Sequence, residues 1–163
     1  LGGPSAGLLR KYQERGSSHD DETAPRPTEP VGYRITLARK RLPALIDQLL
    51  FDPDVRVVET VLSNPRLTEA EVVKLSAARR VNPAALRAIA ADANWIARYP
   101  VKVALANNPI VPPDIVAGIL PHLLDQDLRL LATADRRAEV RRQAAVLLAG
   151  RMARQHESGA ATP

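Results

Sequence analysis

The sequence predicts an all-α fold, a right-handed stack of helical repeats, and three observations carry that expectation. Between Tyr33 and Ala149 there is a single glycine, Gly118, while Ala, Leu, Val and Arg dominate, which is the composition of packed helices. Strand signals are missing: there is no sustained alternation of apolar and polar residues and no Asn-Gly or Asp-Gly hairpin turn. A unit of about 40–44 residues recurs roughly two and a half times, a period that belongs to stacked helices needing their neighbours to cover an apolar face.

The recurrence is read directly. The segment Val57 to Pro65 lies over Val101 to Pro109 at a shift of 44, continuing as Val72 over Val116 and Leu75 over Ile119. At a shift of 40, Ile35 to Ala44 lies over Leu75 to Ala84, and Asp52 over Asp92. At 43, Asp92 lies over Asp135, Val103 over Val146 and Leu105 over Leu148.

Local signals predict helices near 33–41, 43–50, 53–63, 68–80, 83–91, 99–107, 113–120, 124–132 and 136–152. In the first two, Ile35, Ala38, Leu42, Leu45 and Leu49 keep three-four spacing across Pro43, so they read as two helices or as one kinked at the proline. Asp52-Pro53 and Asn82-Pro83 each pair a capping side chain with proline at the first helical position, where its missing N–H costs nothing. Thr68-Glu69-Ala70-Glu71 is a capping box. The helix at 99–107 repeats the one at 53–63 and ends, like it, in Asn-Pro; Val116 and Ile119 carry the match into 113–120. Asp125 and Asp127 suit the start of the next helix. Asp135 is a candidate cap for the last, whose core face is Val140, Ala144, Leu147 and Leu148; Glu139 comes one position too late to close a box with Asp135.

The expected organisation is a flexible tail and linker over 1–34, a helical-repeat domain over 35–152 and a disordered tail over 153–163. Gly16 to Pro30 carries three prolines and clustered acids with no large apolar residue, so ordering its backbone is not offset by burial. Leu8 to Tyr12 reads as a frayed tail or a short docking turn, and the opening residues lack a secretory pattern, as expected of a truncated start. With no cysteine and no apolar run near the ~20 residues that span a bilayer, the expectation is a cytoplasmic protein without membrane insertion.

At this point a resemblance is visible. Asp52-Pro53-Asp54-Val55-Arg56, followed by Val58, Val61 and Leu62, resembles the helix start of HEAT-type repeats, and Glu139-Val140-Arg141 echoes it. Asn64-Pro65-Arg66-Leu67-Thr68 and Asn108-Pro109-Ile110-Val111-Pro112 resemble the junction of the bacterial variant leucine-rich repeat, a helical relative of the HEAT repeat. The resemblance covers about residues 35–150 and implies a HEAT-like α-solenoid. It implies mostly protein-binding scaffolds, with nucleic-acid binding and base excision in a minority. Two departures stand out: Pro100 replaces the equivalent of Arg56, and the cysteines of the iron–sulfur form are absent.

Catalytic patterns are missing, so the expectation is no enzyme, no cofactor and no metal. His19 and His156 lie in the flanks, His122 follows Pro121, and no HExxH pattern or phosphate-binding glycine loop occurs. Asn64, Pro65, Asn108 and Pro109 read as structural corners, the amides satisfying nearby backbone. Trp95 and Tyr99 fall over Phe51 and Val55, which predicts burial rather than a stacking platform.

Charge supplies the candidate surface. Residues 1–34 are neutral, whereas the remainder holds 18 basic against 13 acidic residues and carries the whole +5. Arg39-Lys40-Arg41 and Arg79-Arg80 end helices, where cations complement the dipole; Arg136 and Arg137 fall in a first turn, where the dipole opposes them, with Arg141 and Arg142 beyond. The candidate partner-binding residues are therefore Arg39 and Arg79, forty apart on one expected ridge, and a terminal patch of Arg136, Arg137 and Arg141. The expected function is a protein–protein scaffold for a partner with acidic character; the alternative is a polyanion-binding repeat protein whose ligand is nucleic acid.

Overall fold

The structure, a computed structural model, describes residues 28–40 and 43–160, so the expectations for Leu8 to Tyr12 and for most of the linker lie outside the described residues. Among the described residues the chain is all-helical, with no strand. The helices are α1 (Val31–Ala38), α2 (Pro43–Leu49), α3 (Val55–Leu62), α4 (Glu69–Ala77), α5 (Pro83–Ala91), the short α6 (Ala93–Ile96), α7 (Tyr99–Asn107), α8 (Pro113–Ile119), α9 (Asp125–Ala134) and α10 (Ala138–Ala160); a 3₁₀ turn at Leu120–His122 follows α8.

Several helix starts follow from their own side chains. At α4, Thr68 Oγ1 accepts from the Glu71 amide while Glu71 Oε2 accepts from the Thr68 amide at 2.6 Å, closing the capping box. Asn82 accepts from the Ala84 amide at 2.9 Å with Pro83 behind it, starting α5. Other boundaries are set by tertiary partners. Asp52 does not cap α3. It is buried against Arg34, and α3 begins at Val55 with Asp54 accepting from the Arg56 amide. The element α6 has no counterpart in the expected helices; Asp92 starts it by accepting from the amides of Asn94 and Trp95.

The described chain forms two compact units, one ending at Asn108 and one starting at Pro109. In the first, α1 packs on α3, α4 on α7, and α3 on α5. Its core is aliphatic: Ile46, Leu50, Val57, Val58, Val61, Leu75, Leu86, Ile89 and Leu105 are buried. Trp95 is buried too, its Nε1 donating to the Leu62 carbonyl at 2.9 Å. In the second unit α8 and α9 both pack on α10 around Val116, Leu120, Leu123, Leu128, Leu131, Val140 and Ala144.

The flank boundaries differ from those read in the sequence. Helix α1 starts at Val31, directly after Pro30, and α1 and α2 are separate helices, since α1 ends in a turn at Arg39 and Lys40. Helix α10 runs to Ala160, through residues of the expected tail over 153–163: Ala153, Arg154 and Gln155 favour helix, and neither proline nor glycine intervenes between them and Gly159.

Candidate functional site

One hydrogen-bond arrangement recurs three times, just after α3, just after α7 and from within α10. After α3, Asn64 Nδ2 donates to the carbonyls of Ala38 and Lys40, at 2.8 and 3.0 Å. After α7, Asn108 Nδ2 donates to those of Ser76 and Ala78, both at 2.8 Å. Each amide thus clamps two carbonyls, two residues apart, where α1 or α4 ends and its last acceptors lack helical donors. Both asparagines are buried. In the second unit, Arg151 guanidinium nitrogens donate to Pro121 and Leu123, again two residues apart, at 2.7 and 2.8 Å, and to Asp125 at 2.7 Å. Positions 64, 108 and 151 follow the register shifts of 44 and 43. Arg151 therefore occupies the asparagine position with a longer side chain that performs the same contact.

The clamp also decides how Arg39 and Arg79 relate. Both are exposed, but Arg39 lies between the two clamped residues Ala38 and Lys40, whereas Arg79 follows the second clamped residue, Ala78. They are not equivalent positions, because the register between α1 and α4 at this corner is 38 residues, two fewer than the sequence match of 40.

In the terminal patch the three arginines differ. Arg136 is exposed. Arg137 lies against the Asp135 carboxylate, with Nε and Nη2 at 3.0 and 2.7 Å, and also donates to the Val111 carbonyl at 3.2 Å. Arg141 donates to the Asp135 and Arg136 carbonyls at 2.8 and 3.3 Å. These two hold the start of α10 in place. Burial alone would raise the Asp135 carboxyl, but the Arg137 side-chain and amide hydrogen bonds outweigh it and the pKa is lowered. Asp135-Arg136-Arg137 thereby reproduces Asp54-Val55-Arg56, where the Arg56 hydrogen bonds bring Asp54 down to about 2. The expected echo at Glu139-Val140-Arg141 is not the geometric one, since Glu139 accepts from Arg142 and Gln143 and is lowered by them.

A cleft of about 530 Å³ is lined by Ile35, Arg39, Arg56, Glu59, Thr60, Ser63, Asn64 and Pro65. Two cations and one carboxylate line it. Its hydroxyls donate into their own helix, Thr60 to the Arg56 carbonyl and Ser63 to the Glu59 carbonyl, and no histidine is present. Of the two cations, Arg56 is held by the Asp54 carboxylate. Among the described residues no group of His, Asp and Glu side chains is arranged to hold a metal ion, and no helix is long and apolar enough to cross a membrane.

The aromatic side chains divide. Trp95 is buried under Arg98, whose guanidinium carbon lies 4.9 Å from the ring centroid, while Tyr33 and Phe51 are exposed, Phe51 with the Lys74 ammonium 5.7 Å away.

The exposed face of α10 was not among the sequence-derived candidates. Between Arg142 and Arg154 every exposed position on this helix is apolar: Ala145, Val146, Ala149, Met152 and Ala153. Val146 is 70 % exposed and Met152 52 %. The signal available in the sequence was Met152, which replaces the corner prolines Pro65 and Pro109 in the same register and so lets the helix continue. Compared with protein-family models, with curated proteins and with solved structures, the chain matches none.

Proposed function

We propose that the chain is a non-enzymatic helical-repeat scaffold, HEAT-like in construction, that binds a protein partner with acidic character. The observation that carries this reading is the two-carbonyl clamp at positions 64, 108 and 151, one corner built three times from local chemistry. Repeated corners of this kind are the economy of a scaffold, in which each unit serves to present surface. The acidic character of the partner is supported by the exposed arginines Arg39, Arg79 and Arg136. Protein rather than nucleic acid is favoured by the modest charge excess and, among the described residues, by the separation of the two exposed aromatics onto different elements, Tyr33 within α1 and Phe51 beyond α2.

The test is titration of the full chain with a 20-base-pair DNA duplex and a single-stranded RNA of similar length at roughly 50 and 200 mM salt, beside an Arg39, Arg79, Arg136→Ala variant. These three are exposed, so their loss leaves the clamps and the Asp135 pair intact. Weak binding with a shallow salt dependence is expected. Tight binding that falls about a thousandfold over that range, and is lost in the variant, would overturn the protein-partner reading in favour of a nucleic-acid ligand.

A further inference from the structure

The first corner carries side chains that its clamp does not require. Asn64 Nδ2 holds the carbonyls of Ala38 and Lys40, and Asn64 Oδ1 accepts from the Arg66 amide at 3.0 Å, so one buried side chain fixes the backbone on which Arg39, Lys40 and Arg66 stand. All three of these basic side chains are exposed, and none has a hydrogen bond or an ion pair among the described residues. Other basic side chains of the same unit are engaged: Arg34 by Asp52, Arg56 by Asp54, Arg98 by Glu69 and Lys102 by the Ala97 carbonyl. The equivalent positions are Ala77, Ala78 and Ile110 at the second corner and His122, Leu123 and Ala153 at the third, so a corner closes without cations there. The dipole of α1 does not call for them either, since carbonyls at its end already accept from Asn64. Arg66 stands two residues ahead of Thr68, the cap of α4, and a helix start does not favour a cation.

The cleft of about 530 Å³ shares Asn64 and Arg39 with this corner, and Ile35 and Pro65 give it an apolar lining. We infer that the Asn64 corner and the cleft beside it form a docking site for an acidic segment of a partner protein. Carboxylates of that segment meet Arg39, Lys40 and Arg66, and an aliphatic or proline side chain between them enters the cleft against Ile35 and Pro65. The inference rests on the protein-partner reading and gives it a place on the molecule. Charge selects the occupant. Arg56 is neutralised by Asp54, so three unpaired cations face one unpaired carboxylate, Glu59, and the site is positive. Glu59 also separates a peptide from a nucleic acid. A strand charged at every nucleotide brings phosphate against that carboxylate, whereas a peptide sets a neutral residue there and keeps its acids for the corner.

The experiment uses the full chain as bait for a displayed library of random peptides, followed by fluorescence anisotropy with the enriched peptides. The expected enrichment is Asp and Glu around one Leu, Ile, Val or Pro. The clamp uses the main chain of residues 38, 40 and 66, so an Arg39, Lys40, Arg66→Gln variant keeps its hydrogen bonds and its circular dichroism melt. That variant should bind the peptides about tenfold or more weakly, and an Arg79, Arg136→Gln variant within about twofold of the unaltered chain. Glu59→Gln should tighten binding about twofold or more by removing the opposing charge. Acidic peptides that ignore the corner variant but are lost with Arg79, Arg136→Gln would overturn this site and leave the protein-partner reading standing. Weaker binding in Glu59→Gln would overturn the cleft as part of the site. Enrichment by a full chain carrying Asp20, Asp21, Glu22→Ser, and not by the unaltered chain, would overturn the inference by giving the corner to the chain's own acids. Enrichment of no acidic peptide by either chain would overturn it as well, and salt-steep binding to the DNA duplex in that case would overturn the protein-partner reading with it.

Discussion

Replacing Asn108 by alanine tests the clamp where it is most enclosed. The side chain is 2 % exposed, and its amide donates to two carbonyls, Ser76 and Ala78, at 2.8 Å each. Two hydrogen bonds of ordinary net worth are lost and buried acceptors are left without donors, so the expected cost is about 2–4 kcal/mol. Asn64→Ala removes the pair to Ala38 and Lys40 and the contact from Asn64 Oδ1 to the Arg66 amide, with a cost of similar size. Asn108→Asp is nearly isosteric but sets a carboxylate against two carbonyl oxygens. It should cost more than alanine, which a simple packing role would not produce. Because the chain has two units, a single global transition is not assumed. Trp95 is the only tryptophan and lies in the unit that ends at Asn108, so urea denaturation followed by its fluorescence reports that unit. A cost below about 0.5 kcal/mol for Asn108→Ala, or an aspartate variant no worse than alanine, would refute the clamp.

Three other expectations follow from the same geometry. Ser76 Oγ is buried and makes no hydrogen bond, so Ser76→Ala should be neutral or stabilising by about 1 kcal/mol in the same fluorescence assay, whereas a loss of stability would show that the hydroxyl is satisfied. The buried pair Arg34 and Asp52, joined at 2.8 and 3.0 Å, should lose about 3–5 kcal/mol when either partner alone is removed, as in Asp52→Ala, and much less in the Arg34→Met, Asp52→Leu double variant; additive losses would be the contrary result. In acid, Asp54, Asp135 and Glu139 all carry lowered pKa values, so the stability they contribute is complete above their ordinary values and is lost as pH falls through the folded ones. For Asp54 that window runs from 3.8 down to about 2, and Asp54→Asn should flatten the fall in melting temperature across it; parallel curves for the two proteins would contradict this sign.

Which features were legible in the sequence depended on whether their partners were near in the chain. The caps at Thr68 and Asn82 reach three and two residues, and both are where the sequence predicts them. The start of α3 is not, because Asp52 is drawn to Arg34, 18 residues earlier, leaving Asp54 to cap the helix. Helix α6 has only four residues and no periodicity to display; its Asp92 cap and the burial of Trp95 against a carbonyl 33 residues away hold it. The candidate cations divide on the same principle. The dipole argument singles out Arg136 and Arg137, with Arg141 beyond them on the same helix, yet Arg137 and Arg141 are held by Asp135 and by backbone carbonyls, among them Val111, 26 residues before Arg137. Only Arg136 of the three keeps an exposed side chain.

The corner at Arg151 was harder to see than those at Asn64 and Asn108 for a chemical reason. Comparing residues by identity aligns Asn64-Pro65 with Asn108-Pro109 and stops there, since the next position in register holds Arg151-Met152. What recurs is a donor group reaching two carbonyls at a helix end, and a guanidinium performs that contact as well as a primary amide. The two changes at the Arg151 corner are physically linked. An asparagine must lie at the corner itself to reach the carbonyls, and the proline after it ends the helix; arginine reaches them from within a continuing helix, so the proline is not required. The exchange of Asn-Pro for Arg-Met therefore preserves the corner and at the same time extends α10, exposing Met152 and Ala153 beside Val146. The exposure of Met152 and Ala153 is thus a direct structural consequence of replacing the asparagine and proline of the earlier corners.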